Sequence, residues 1–183
     1  LMRSAGFTLA EVLITIGVIG VVAAITIPNM ITNYQKKITV NKLKKVYSEL
    51  QQAIRLSVAE NGDTPSWEYH EDNVSVESSA EFAQKYFLPY LKVLKFCATD
   101  TTGDCEFHAK FLNGNSADNH ASVSDTTKIF LMNGSELLIK ITNPSLARTY
   151  ITVDINGTEK PNIYGKDIFA MEFWDGQPIF RWQ

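Results

Sequence analysis

Residues 7–31 read FTLAEVLITIGVIGVVAAITIPNMI, an almost unbroken apolar run. As a helix this run is long enough to cross a hydrocarbon core of about 30 Å, so a membrane span is the direct reading. A secretory signal fits less well, because its apolar core is usually about 7 to 15 residues and no small-residue cleavage site stands at the right place. Beyond Pro28 the pattern turns periodic: Leu43, Val46, Tyr47, Leu50, Ile54 and Val58 recur at steps of three and four, with polar residues between. That spacing predicts one buried helical face, and Asn61-Gly62 supplies a stop. One helix is expected over about residues 7–60, apolar all round at first and amphipathic afterwards. Heptads with flanking charges are not sustained through it, which argues against a long coiled coil.

Residues 62–77 are polar and broken by Pro65, a connecting loop. Ser78 and Glu81 have capping-box spacing and are expected to open a helix through about Lys95, bent or divided at Pro89. Its Phe82, Tyr86, Phe87, Tyr90, Leu91 and Leu94 read as core. Residues 106–126 are polar and irregular, the composition of a variable surface. After them the period shortens to two. Strands are expected at 128–132, 136–141, 149–155, 167–174 and 178–182, with turns at Asn133-Gly134 and Asp175-Gly176. The expected fold class is α+β: a long N-terminal helix packed on a C-terminal antiparallel β-sheet.

Length and composition add bounds. A chain of 183 residues with 45% hydrophobic residues can build one ordinary core plus an appendage. Its net charge of -3 gives no basic field of the kind that draws a chain to nucleic acid, so no nucleic-acid partner is expected. The lysines at 36, 37, 42, 44 and 45 spread around the helix and are expected to face headgroups and solvent. The two cysteines, Cys97 and Cys105, match no zinc spacing; an oxidising compartment would join them, and two free buried thiols are the alternative. His70, His108 and His120 all lie in polar loops without paired ligands at metal spacing. Phosphate-loop, dinucleotide and serine-nucleophile signatures are absent, so the chain is not expected to be an enzyme.

Glu11 stands out, since a carboxylate inside a spanning helix costs roughly 2.5 to 3.5 kcal/mol on insertion scales and calls for a partner. No basic side chain lies within reach along the helix. Cleavage between Gly6 and Phe7 would place a new ammonium about one turn away, in this chain or a neighbour; otherwise Glu11 is solvated at headgroup level. Pro28 lacks an amide hydrogen and predicts a kink. Gly17, Gly20, Ala23 and Ala24 form a small-residue surface that another helix can approach.

Gly6-Phe7-Thr8-Leu9-Ala10-Glu11 followed by an apolar helix resembles the class III signal of type IV prepilins and pseudopilins, strongly over residues 6–60 and loosely beyond. The resemblance implies a leader at 1–6, an assembly and membrane segment at 7–31 and an extracytoplasmic globular pilin-like domain at 32–183. It implies cleavage by a prepilin peptidase between Gly6 and Phe7, N-methylation of Phe7, and pairing of Glu11 with a neighbour's N-terminus. Gly20 and Pro28 match positions bounding the segment that loses helicity in assembled pili. The implied product is a structural subunit of a type IV pilus or a type II secretion pseudopilus. Its partners would be other pilin-like subunits, membrane lipid and an inner-membrane assembly platform with a separate ATPase. The implied location is a single inner-membrane pass with the C-terminal domain outside the cytoplasm, then a pilus or periplasmic pseudopilus. Counting flanking charge points the other way, because the five lysines lie on the C-terminal side against Arg3 alone; the family topology is preferred. The short leader and initial Leu1 suggest a truncated start or initiation at Met2.

Two readings stay open. Asp154, Asn156 and Asp167 surround a glycine-containing turn whose oxygens suit structural calcium, as in some major pseudopilins, or serve local turn hydrogen bonds. The competing function is an uncleaved, membrane-anchored extracytoplasmic binding or sensor protein.

Overall fold

The computed structural model describes residues 6–69, 75–99, 105–120, 123–143, 145, 148–174 and 177–182. Two compact units divide at Leu1–Val40 and Asn41–Gln183. A single helix, α1 (Leu9–Asn61), contributes to both.

In the first unit α1 is apolar and uncovered. Leu13, Ile14, Val18, Ile19, Val21 and Ile25 are all exposed. The helix runs through Pro28 without interruption. Nearby polar side chains turn back on their own backbone: Thr26 Oγ1 donates to the Val22 carbonyl at 2.9 Å, Asn29 Nδ2 to Ile25 at 3.3 Å and Thr32 Oγ1 to Pro28 at 2.9 Å. Such bonds let a polar residue sit in hydrocarbon without an orphaned group.

In the second unit one face of α1 is buried through Val46, Leu50, Ala53, Ile54 and Ser57, the residues of the amphipathic period and their neighbours. The helix ends where Gly62 takes φ +81° and its amide donates to the Val58 carbonyl at 3.0 Å. A second helix, α2 (Val76–Tyr86), begins earlier than expected. Its N-cap is Ser75, whose Oγ accepts from the Ser78 amide while Ser78 Oγ accepts from the Ser75 amide. The reciprocal cap is thus Ser75 with Ser78, and not Ser78 with Glu81. The helix also stops earlier: Pro89 sits in a short 3-10 turn (Leu88–Tyr90), since proline supplies no amide to a continuing ladder. The chain then enters strand β1 (Val93–Cys97) in place of the expected helix.

The other strands lie close to expectation: β2 (Thr127–Leu131), β3 (Glu136–Asn143), β4 (Arg148–Asp154), β5 (Ile168–Trp174) and β6 (Gln177–Trp182). Together the six form one antiparallel sheet in the order β1-β2-β3-β4-β5-β6. The Asn133-Gly134 turn is present, with Gly134 at φ +87° and Asn133 Oδ1 accepting from the Ser135 amide. The turn expected at Asp175-Gly176 lies outside the described residues.

Alternation gives the sheet two different faces. Ile129, Leu131, Leu137, Ile139, Ile141, Ile151, Val153, Met171 and Phe173 join Leu50 and Ile54 of α1 and Phe82 and Phe87 in the main core. Trp67 stacks on Tyr86 with centroids 4.4 Å apart and closes this core from the connecting loop. On the opposite face Lys128, Glu136, Thr152, Asp154 and Glu172 are buried. Residues 105–120 and 123–126 lie against this polar side through a small cluster of Ala109, Ala117, Val123 and Ile168. A segment expected to be open surface is therefore partly buried. Its few alanines and Val123 are too sparse among polar residues to announce this.

Candidate functional site

The N-terminal end is built from Gly6, Phe7, Thr8 and Glu11. Phe7 is 89% exposed just ahead of the helix. Thr8 and Glu11 form a reciprocal cap. Glu11 Oε2 accepts from the Thr8 amide and from Thr8 Oγ1, both at 2.8 Å, and Thr8 Oγ1 accepts from the Glu11 amide at 3.3 Å. Free amides at a helix start attract a carboxylate, so the acid that seemed to lack a partner has one within its own chain. The hydroxyl-to-carboxylate spacing of three at Thr8 and Glu11 is legible in the sequence and is the signal that finds this cap. Gly17 and Gly20 have nothing within 4 Å of where a Cβ would stand, so that stretch of the helix is open to a close neighbour.

Cys97 and Cys105 are joined in a disulfide. Beside it Lys128 Nζ donates to the Cys105 carbonyl and ties the covering segment to the polar face, while Thr127 Oγ1 donates to the Cys97 carbonyl at 2.8 Å and joins β2 to β1. Residues 100–104 of the bridged loop lie outside the described residues.

Asp154, Asn156 and Asp167 sit at the end of β4 and in the connection to β5. Asp154 Oδ1 accepts from the amides of Asn156 at 3.0 Å and Gly157 at 3.1 Å, a turn held by a side chain. Gly157 has φ +62°, and a Cβ there would stand 2.7 Å from the Gly134 carbonyl, so only glycine fits between these two turns. Asp167 binds the backbone of the same connection, with Oδ2 accepting from the Asn162 amide at 2.8 Å and Oδ1 from the Ile163 amide. These contacts give both carboxylates structural work. Asp154 Oδ2 and the side-chain oxygens of Asn156 and Asn162 are nevertheless buried without a hydrogen-bond partner. Burial pushes the Asp154 carboxyl up to about 8 against the opposing bonds from Asn156 and Gly157.

Glu136, paired directly with Asp154 across the strands, is a functional candidate that sequence reasoning missed. It is 3% exposed and lines a cleft of about 530 Å³ with Leu94, Lys95, Phe107, Phe130 and Asn162. Burial pushes its carboxyl up to about 7, with Lys128 and then Lys95 opposing. A charged residue at an alternating strand position normally signals solvent, and only the covering segment reverses that reading.

The histidines have local roles. His108 lies between Glu106 at 3.2 Å and Asp118 at 3.3 Å, and His120 packs edgewise on Phe111 and Tyr164. His70 lies outside the described residues. Among the described residues no three of His, Cys, Asp and Glu gather at metal-holding distance.

Comparison with known proteins gives two matches along this chain. Residues 1–27 match the prokaryotic N-terminal methylation motif, and residues 29–180 match a family described as Family of unknown function (DUF6613). No curated protein and no solved structure matches.

Proposed function

From a chain that belongs to the Family of unknown function (DUF6613) and carries the prepilin-type signal of type IV pilins and pseudopilins, we propose a filament subunit. The signal marks a membrane-anchored substrate of prepilin peptidase that assembles with other pilin-like subunits. Beyond that, our reading is a structural subunit of a type IV pilus or type II secretion pseudopilus, with its globular domain outside the cytoplasm. An assembly platform with a separate ATPase would drive it.

The observation that carries this reading is the apolar stretch of α1, exposed along its length and headed by Gly6-Phe7 and a capped Glu11. A surface of this size cannot rest in water; lipid covers it first, and the equivalent stretches of other subunits can replace lipid without refolding. In that exchange Glu11 trades Thr8 for the ammonium freed at a neighbour's Phe7, a charge-assisted pair stronger than the neutral donors it leaves.

Mass spectrometry of the mature N-terminus in a cell holding the peptidase tests the proposal. A chain starting at methylated Phe7 supports it, and an intact Gly6–Phe7 bond overturns it. An uncleaved anchor for a binding domain further predicts that Glu11→Ala changes nothing, whereas a filament subunit loses assembly.

A structural calcium ion at Asp154, Asn156 and Asp167 is a second reading, favoured by the unpartnered Asp154 Oδ2. Thermal unfolding with calcium and with chelator decides it: a higher midpoint in calcium supports the ion, and equal midpoints remove it.

A further inference from the structure

Between Glu11 and Glu49 the chain contains no acidic residue, yet Lys36, Lys37, Lys42, Lys44 and Lys45 fall within this interval. All five are exposed, and none makes an ion pair among the described residues. In the globular unit Lys85 pairs with Glu68 (2.8 Å) and Lys140 with Asp125 (3.3 Å). Five ammonium groups within ten residues, with no acid among them, are a local feature of this part of α1.

Their position says what could neutralise them. Lys36 and Lys37 follow the apolar run directly, and Tyr34 between them and the run is 67% exposed, as an aromatic ring at a membrane interface is. At 1.5 Å per residue, Lys36 stands about 7 Å beyond Ile31, the depth of a headgroup layer. Helical side chains lean toward the N-terminus, so these lysines lean back toward the apolar run. Their angular spread is equally informative. On a wheel of about 100° per residue the five leave no gap wider than about 120°. A duplex or a single protein groove would call for one charged face, whereas charge on every side of the axis fits an anionic surface around the helix. Lys36 and Lys37 stand at its headgroups, and Lys42, Lys44 and Lys45, about 16 to 21 Å beyond Ile31, attract it from above through the field.

We infer that residues 36–45 form a cationic collar that binds anionic phospholipid headgroups and sets the depth at which the subunit rests before assembly. The inference depends on the membrane anchoring proposed above and on nothing about the filament. Juxtamembrane lysines attract an anionic leaflet by direct charge attraction, and the attraction fades with salt.

The test uses the full chain reconstituted in phosphatidylcholine bilayers with a small fraction of spin-labelled lipid. Flotation with neutral vesicles first checks the anchor alone. Spin-labelled phosphatidylglycerol should then be enriched around the protein about fivefold over spin-labelled phosphatidylcholine at low salt, a preference that shrinks toward unity in high salt. Replacing all five lysines with glutamine should abolish the preference, while arginine at the same five positions should keep it. Because these side chains are exposed, helix content by circular dichroism should match in all three chains. A chain that floats but shows equal enrichment of the two lipids overturns the collar and leaves the anchor standing; failure to float overturns both. Persistence of the preference in the glutamine variant overturns it as well. So does lysine-dependent retention of duplex DNA without lipid preference, which would assign the collar to nucleic acid.

Discussion

The two stretches of α1, residues 9–40 and 41–61, are continuous in one helix but differ in what their apolar residues do. In the first, Val, Ile and Leu point in every direction and remain exposed; in the second, fewer apolar residues occur, and Val46, Leu50 and Ile54 are buried completely or nearly so. The more hydrophobic stretch is thus the one without a core. Burial inside a domain depends on confining apolar residues to one stripe, because only a stripe leaves the remaining faces to water. A helix that is apolar all round must take its cover from outside the chain, from lipid or from its equals.

The contrast predicts that stability is blind to one stretch and sensitive to the other. Phe82→Ala, in the core that the second stretch packs into, should cost about 3 to 5 kcal/mol, while Ile19→Ala should move the unfolding of the globular unit by less than about 0.5 kcal/mol. Thermal unfolding in detergent followed by near-ultraviolet circular dichroism measures both, and equal losses would break the contrast. Reduction of Cys97–Cys105 comes next. Opening so short a loop should cost about 2 to 3 kcal/mol, seen as a lower midpoint in reductant, with the helix content of residues 9–40 unchanged.

A smaller effect comes from pH. In the presence of chelator, the Glu136 carboxyl at about 7 lies above its ordinary value of 4.5, so the native state holds a proton that the unfolded chain has released. Stability is then full below about 4.5 and declines as pH rises through about 7, by on the order of 1 to 3 kcal/mol. Asp154, pushed up to about 8, adds a loss of the same sign, so Glu136→Gln should reduce the slope between pH 5 and pH 8 in urea titrations without abolishing it; an unchanged slope would show that Glu136 does not contribute. Ser75→Ala should cost only about 1 kcal/mol through loss of the α2 cap, and equilibrium unfolding of the two chains side by side resolves it.

Much of this was legible in sequence because pattern and environment agree. Ile129, Leu131, Leu137, Ile139 and Ile141 alternate cleanly, and the strands fall within a residue or two of expectation at nearly every end. The failures share a cause. Leu91 and Leu94 mimic helical spacing across what becomes a 3-10 turn and an edge strand, and only the position of Pro89 argues otherwise. Strand alternation alone gives no sign that Lys128 and Glu136 are buried, because the segment that covers them is itself polar, and such a contact joins residues distant in the chain. Glu11 stands out through its charge, which points to a cation as its partner, while the equally legible Thr8–Glu11 spacing points to a helix start where backbone amides supply the partner.

Because each strand of the sheet pairs with its neighbours in sequence, the sheet can grow by one hairpin at a time. The buried face of α1 has no such freedom: Val46 and Leu50 leave the ribosome early, whereas Phe173, a member of the same cluster, arrives more than a hundred residues later. The nascent chain must therefore carry an uncovered helix face while more than a hundred further residues are added, and the core closes only once β5 has emerged.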